Sequence, residues 1–281
     1  MRRIVSVCLV LFFLCASAAF AQGSFLTSWE NRVRSTSAKQ PSWAVPVFTP
    51  SSGLVQLMRS DEIRQYTPTH TTTWNYGGSK GFSLIPWYKT ELDINPPPYI
   101  QHNNSKVADG AGDVSFLLKY RVLAANEKQG AYSISAAVAA TAPTGSYKNG
   151  GADGTISPTV YLGKGFGPFD VQTAAAESLP TGHTATMGRP VSWNSVVQEK
   201  VGKMFWPEIE FNSTFFRGGP NDGKVQTFIS PGLMVSKIRF SSAPKNRLAL
   251  VFGAGEQIAV THFHTYNHEL SFTTRIAVRN I

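Results

Sequence analysis

The chain has 281 residues and only 15% are charged, against ~25% in an ordinary soluble domain, so something other than water must cover part of its surface. Its formal charge is +9, yet no lysine/arginine run marks a nucleic-acid footprint and an export signal stands in front, which argues against a nucleic-acid partner. Both cysteines, Cys8 and Cys15, lie inside that signal, so the mature chain has no disulfide framework, thiolate metal site or cysteine nucleophile.

In chain order, Arg2 and Arg3 precede an apolar run from Ile4 to Cys15, and Ala19-Phe20-Ala21 supplies the small residues a signal peptidase reads. The run is short for a ~20-residue membrane span, which favours a signal over residues 1–21. Removing it lowers the formal charge from +9 to +7. Residues 22–52 are expected to be a periplasmic N-terminal lead-in, loose or briefly helical, and 53–281 a single domain. No later stretch is long and apolar enough for a spanning helix.

From residue 54 onward the chain alternates with period two, the signature of strands with one apolar and one polar face. The first stretches, 54–65 and 70–77, are the least regular, because Arg59, Asp61, Glu62 and Arg64 break the alternation. In 82–94, Phe82, Leu84, Tyr88, Leu92 and Ile94 oppose Ser83, Lys89, Glu91 and Asp93. In 112–123, Val114, Phe116, Leu118, Tyr120 and Val122 oppose Asp113, Ser115, Lys119 and Arg121. Further strands are expected at 131–142, 155–164, 168–178, 190–200, 205–216, 225–240 and 246–259, and a last one runs through Leu270, Phe272, Ile276 and Val278. Stretches of about 10–14 residues suit a tilted membrane strand and exceed the ~5–6 of soluble sheets.

Connections alternate between tight (Gly165-Phe166-Gly167, Val201-Gly202-Lys203) and long (95–111, 143–154, 179–189, 217–224, 260–267), as in outer-membrane barrels with short periplasmic turns. With both termini in the periplasm the strand number is even; twelve is the expectation, and ten or fourteen remain compatible. Of the six tryptophans, Trp74, Trp87, Trp193 and Trp206 lie in or beside strands, where interfacial rings collect. The fold class is therefore all-β, a transmembrane antiparallel up-and-down barrel in the bacterial outer membrane.

Four segments carry a resemblance: Gly112–Arg121, Ala142–Tyr147, Gly163–Asp170 and Gly232-Leu233-Met234-Val235. Together they resemble the bacterial barrels of the phenol meta-pathway (MetA-type) transporter family over most of 54–281. The resemblance implies an outer-membrane barrel that passes hydrophobic or aromatic compounds. One departure is the C-terminus, Val278-Arg279-Asn280-Ile281, where such barrels usually end on an aromatic residue recognised during assembly.

Ionised groups on a barrel avoid hydrocarbon and turn to the lumen, which makes Lys89, Glu91, Asp93, Lys119, Arg121, Glu208, Glu210, Asn212, Arg275 and Arg279 pore-lining candidates. Whether they line an open pore or plug a closed one depends on a lumen radius that strand patterns do not contain. Catalysis is not expected: a same-face His-x-Ser pair is absent, His268 and Ser271 are three apart, and His70 with Thr72 has the weaker nucleophile. The histidines (His70, His102, His183, His262, His264, His268) fall at the expected outer rim; His262, His264 and His268 leave metal binding open, although cysteine ligands are absent. The glycine-rich stretches 109–113, 218–223 and 163–165 lack calcium-loop spacing or dinucleotide context and read as turns or strand curvature. The expected function is a passive channel for small solutes without a cofactor, whose partners are outer-membrane lipid, a small-molecule solute and the barrel-assembly machinery. The alternative is a non-conducting structural or surface-interaction barrel.

Overall fold

A computed structural model describes residues 22–78, 80–147, 149–239 and 248–278. The expected signal, residues 1–21, and Arg279 lie outside them. Helix α1 (Gln22–Ser37) precedes twelve antiparallel strands that close into a barrel. These are β1 (Leu57–Tyr66), β2 (Thr72–Tyr76 continued by Phe82–Trp87), β3 (Thr90–Asn95 continued by Tyr99–His102) and β4 (Gly110–Ala111 continued by Val114–Ala125). They are followed by β5 (Tyr132–Ala142), β6 (Thr155–Phe166), β7 (Phe169–Glu177), β8 (Val191–Glu199), β9 (Phe205–Phe215), β10 (Val225–Arg239), β11 (Leu248–Ala259) and β12 (His268–Val278). The ring shuts where β1 pairs with β12 from Leu57 opposite Ala277 to Tyr66 opposite His268. Full closure removes the edge strands that an open sheet would leave unpaired.

The expectation of one strand over 82–94 needs correction. Leu84 pairs with Leu92 and Trp87 with Thr90, so this stretch is a hairpin turning at Tyr88-Lys89. Phe82, Leu84, Leu92 and Ile94, all even-numbered, face outward in the two arms, so despite a bulge between Leu84 and Trp87 the period-two pattern carries across the turn and conceals it. The total is unchanged because 72–76 and 82–87 are one strand, interrupted where Gly77 and Gly78 adopt φ of 98° and 56°. A Cβ on Gly78 would lie 2.7 Å from Asp61 Cβ, so the close approach there needs glycine. Opposite this interruption Pro96-Pro97-Pro98 breaks β3, since proline has no N–H for the ladder.

The molecule is apolar outside and polar inside. Cross-strand partners share a face, and Phe116, Leu118, Val160, Ile209, Phe211, Phe252 and Phe272 all point outward and are exposed. Inward lie Glu91, Lys119, Arg121, Gln172, Gln198, Glu208, Glu210 and Arg275, each at most 4% exposed. Trp206, expected at an interface, is instead an inward residue packed against Ala44, Val47, Met234 and Val251. On β1 both faces are polar: Arg59 and Asp61 pair inside at 2.8 Å, while Glu62 and Arg64 sit on the outer face opposite Phe272 and Leu270. That arrangement is why the first strand alternates poorly.

The segment expected as a periplasmic lead-in is also different. Helix α1 lies at the end of the barrel where the chain begins and finishes. There Trp29 and Val33 pack with Leu54 and Ile85, and Thr36 Oγ1 donates to Tyr88 O at 3.0 Å. Residues 40–55 then pass through the lumen, because they touch inward-facing side chains of β3, β4, β5, β7, β9 and β12 at once. Positions 40–58 carry no charged side chain, and what they offer the charged wall is backbone N–H and C=O.

Candidate functional site

The site is the lumen with its plug, built from the alternation of each strand. On β9, Glu208 Oε1 accepts from Val47 N–H at 2.9 Å and Glu210 Oε1 from Phe48 N–H at 2.8 Å, while Glu210 Oε2 accepts from Thr49 N–H. On β12, Arg275 donates to Val45 O at 2.5 Å and Pro46 O at 2.6 Å. Acid and base thus hold opposite sides of one short segment: carboxylates take its amides and a guanidinium its carbonyls. Charge-assisted bonds of this kind are roughly twice as strong as neutral ones.

A second clamp holds the return of the plug. Lys119 Nζ pairs with Glu91 Oε1 at 2.7 Å and donates to Ser51 O at 3.2 Å and Gly53 O at 3.3 Å, and Glu91 Oε2 accepts from Val55 N–H. Gln172 Oε1 accepts from Ser52 N–H at 3.0 Å, and Ser133 and Ser135 donate to Ser52 O at 3.0 and 2.8 Å. Arg121 ties the plug to α1, donating to Thr36 O and Gln40 Oε1, both at 2.7 Å. Outside the strands, Ser42 N–H and Oγ–H donate to Glu127 Oε1 at 2.8 and 2.7 Å. Partial burial works to raise the Glu127 carboxyl, but these donors outweigh it and hold it below its ordinary value.

Of the pore-lining candidates, Glu91, Lys119, Arg121, Glu208, Glu210 and Arg275 converge on the plug. Asn212 belongs to an amide network above it, receiving Ser230 Oγ–H and Gln257 Nε2–H at 3.0 and 2.9 Å. Asp93 lines a cavity, and its Oδ1 is buried without a partner among the described residues. Lys89 is a correction: it sits exposed in the β2–β3 turn with Nζ 6.0 Å from the Tyr120 ring, because the hairpin places it at the rim. Sequence reasoning missed Gln172, Ser133, Ser135 and Arg59, although three of them have the parity of their strand's polar face. It missed the plug itself, whose one visible signal is the charge-free run.

Two of the luminal cavities among the described residues flank the plug. One of about 290 Å³ is lined by Val55, Leu57, Glu91, Asp93, Lys119 and Tyr161 among others. The other, about 270 Å³, lies beyond Val47 and Phe48 beside the stacked rings of Phe228 and Tyr266, 4.5 Å apart. Arg59 and Lys80 line both. The rim histidines are engaged singly: His183 with Asp153 at 2.5 Å, His102 with Asn149 at 2.6 Å, His264 with Asn267 at 3.0 Å, and His268 with Glu256 at 2.8 Å.

The luminal clamps predict a stability effect. Lys119→Met leaves Glu91 buried and unpaired, and breaking such a pair costs about 3–5 kcal/mol. Urea unfolding of the refolded barrel should show that loss, and Lys119→Met with Glu91→Gln should recover most of it. Equal stability of wild type and the single variant would show that the pair does not stabilise the barrel.

Residues 56–174 match the family model described as "Putative MetA-pathway of phenol degradation". The crystal structure of an outer membrane channel from Pseudomonas putida F1 is similar with a TM-score of 0.55 at 16% identity, covering 83% of this chain and 100% of that one. The NanC porin gives a TM-score of 0.51 at 9% identity, covering 80% of this chain and 99% of its own. No curated protein matches the sequence. The family match spans β1 to the middle of β7, and the closed twelve-stranded ring agrees with it: over those residues the chain is similar to the MetA-type family, and its fold is that of a bacterial outer-membrane β-barrel.

Proposed function

We propose that the protein is a passive channel for small solutes across the outer membrane, with its own N-terminal segment as the plug that sets the conducting state. The observation that carries this reading is a lumen lined by ionised and amide groups and filled by a segment held through hydrogen bonds and a small apolar contact around Trp206. A plug with no cross-link to the wall beyond its own continuation into β1 can be displaced. The names of the two similar structures, a channel and a porin, support transport. So do the cavities, each larger than the ~150 Å³ that admits a benzene ring. The cavity of about 290 Å³ sets Leu57, Val55 and Tyr161 beside Lys119 and Asp93, a mixture suited to a small aromatic solute bearing a polar group.

The filled lumen also favours a second reading, a non-conducting structural barrel. Planar-bilayer recording separates the two. Ser135 Oγ lies 2.8 Å from Ser52 O, so Ser52→Cys with Ser135→Cys can tie plug to wall in a mature chain that has no other thiol. Wild type should conduct, the oxidised variant should fall below it, and reductant should restore the current. Equal currents before and after reduction would take the plug off the conduction path. Silence of wild type and of a plug-deleted chain alike would support the structural reading.

A further inference from the structure

We infer that the outer face of β12–β1–β2 is where two copies of this chain meet in the membrane. Elsewhere among the described residues the outward side chains at mid-strand are apolar or small. Here Ser60, Glu62 and Arg64 occupy successive outward positions of β1, and His268 at the start of β12 and Glu256 on β11 lie on the same face. The facing follows from the register: Glu62 is opposite Tyr76 and Phe272, and Arg64 is opposite Trp74 and Leu270, with Tyr76 and Phe272 exposed.

Glu62 is central in β1, which runs Leu57–Tyr66. Ser60 Oγ–H donates to its Oε1 at 3.3 Å, and the Arg64 guanidinium lies 4.8 Å from the Tyr66 ring and 5.3 Å from the Trp74 ring. Arg64 Nε is buried without a hydrogen-bond partner, and neither Glu62 nor Arg64 is in an ion pair among the described residues. Two opposite charges on the outer face without an ionic partner call for something that covers them.

The signs choose the occupant. A lipid phosphate would satisfy Arg64 but be repelled by Glu62 and Glu256. A second copy offers both signs. A two-fold contact about the membrane normal is isologous, so where residue i of one copy meets residue j of the other, j also meets i. Arg64 then meets Glu62 of the partner subunit, and Glu62 meets the partner subunit's Arg64. Aromatic rings of Trp74 and Tyr76 flank the contact, a composition enriched at interface cores.

The mature chain has no cysteine, so single cysteines report contact cleanly. Ser60→Cys, in intact outer membranes treated with a short bismaleimide, should yield a covalent dimer. Ala175→Cys, exposed on the outer face of β7 across the ring, should not. In the Ser60→Cys background, Arg64→Glu should cut the dimer at least severalfold, and adding Glu62→Arg should restore it. Gel mobility of the unheated samples checks that each variant is folded. Dimer from both cysteine positions alike, adducts of another mass, no adduct, or no rescue by the double exchange would each overturn the assignment.

Discussion

A chain lacking residues 22–52, refolded into vesicles, should conduct roughly tenfold or more above the full-length protein, because twelve strands enclose more space than their own side chains fill. Eight-stranded barrels are packed solid and sixteen-stranded ones hold an aqueous channel; this ring lies between, and its plug makes the difference. In the full-length chain Val47, Phe48 and Thr49 donate their amides to Glu208 and Glu210. Without the plug those carboxylates face water and the current. Replacing both by Gln in the shortened chain should shift the reversal potential under a salt gradient toward anions. That shift should shrink at 1 M salt, where screening acts within ~3 Å. In the full-length chain the same replacements weaken the hold on the plug, so they should raise the frequency of opening as well. Unchanged conductance after deletion would show that the N-terminal segment does not limit flow.

The second large effect concerns facing. Phe211→Arg should block insertion while Ser115→Arg folds. Phe211 is exposed on the outer surface between Ile229 and Ser195, and an arginine at mid-depth there costs about 2–4 kcal/mol. At 1.4 kcal/mol per tenfold, the folding equilibrium constant falls by about thirtyfold or more. Ser115 points inward, accepts from Asn95 Nδ2–H at 3.1 Å and borders the 290 Å³ cavity, which has room for a longer side chain. Asn212→Arg is a poorer inward control, since it would remove the acceptor of Ser230 and Gln257. Folding yields into vesicles measure the contrast, and equal yields for Phe211→Arg and Ser115→Arg would reverse the facing assignment.

Facing and class were legible because they depend on local geometry. Alternation of Phe116, Leu118 and Tyr120 against Lys119 and Arg121 determines two faces whatever the neighbouring strands do, and the lengths of these runs suit a bilayer. Local periodicity also has a blind spot, seen at Tyr88-Lys89, where a turn preserved parity and two arms read as one strand. Lys89 was misplaced for that reason.

What only the tertiary structure decided is what fills the ring. Nothing between Gln40 and Met58 alternates or carries charge, so those residues have no local signal of where they go. Their position is set by Glu208, Glu210 and Arg275, which lie 161 residues or more further along the chain. A backbone amide binds any carboxylate that closure of the barrel brings to it. Sequence alone determined that this protein has a charged interior and an apolar exterior. Closure decided that the interior charges bind the chain's own N-terminal segment, because long-range hydrogen bonds to a backbone leave no mark on side-chain order.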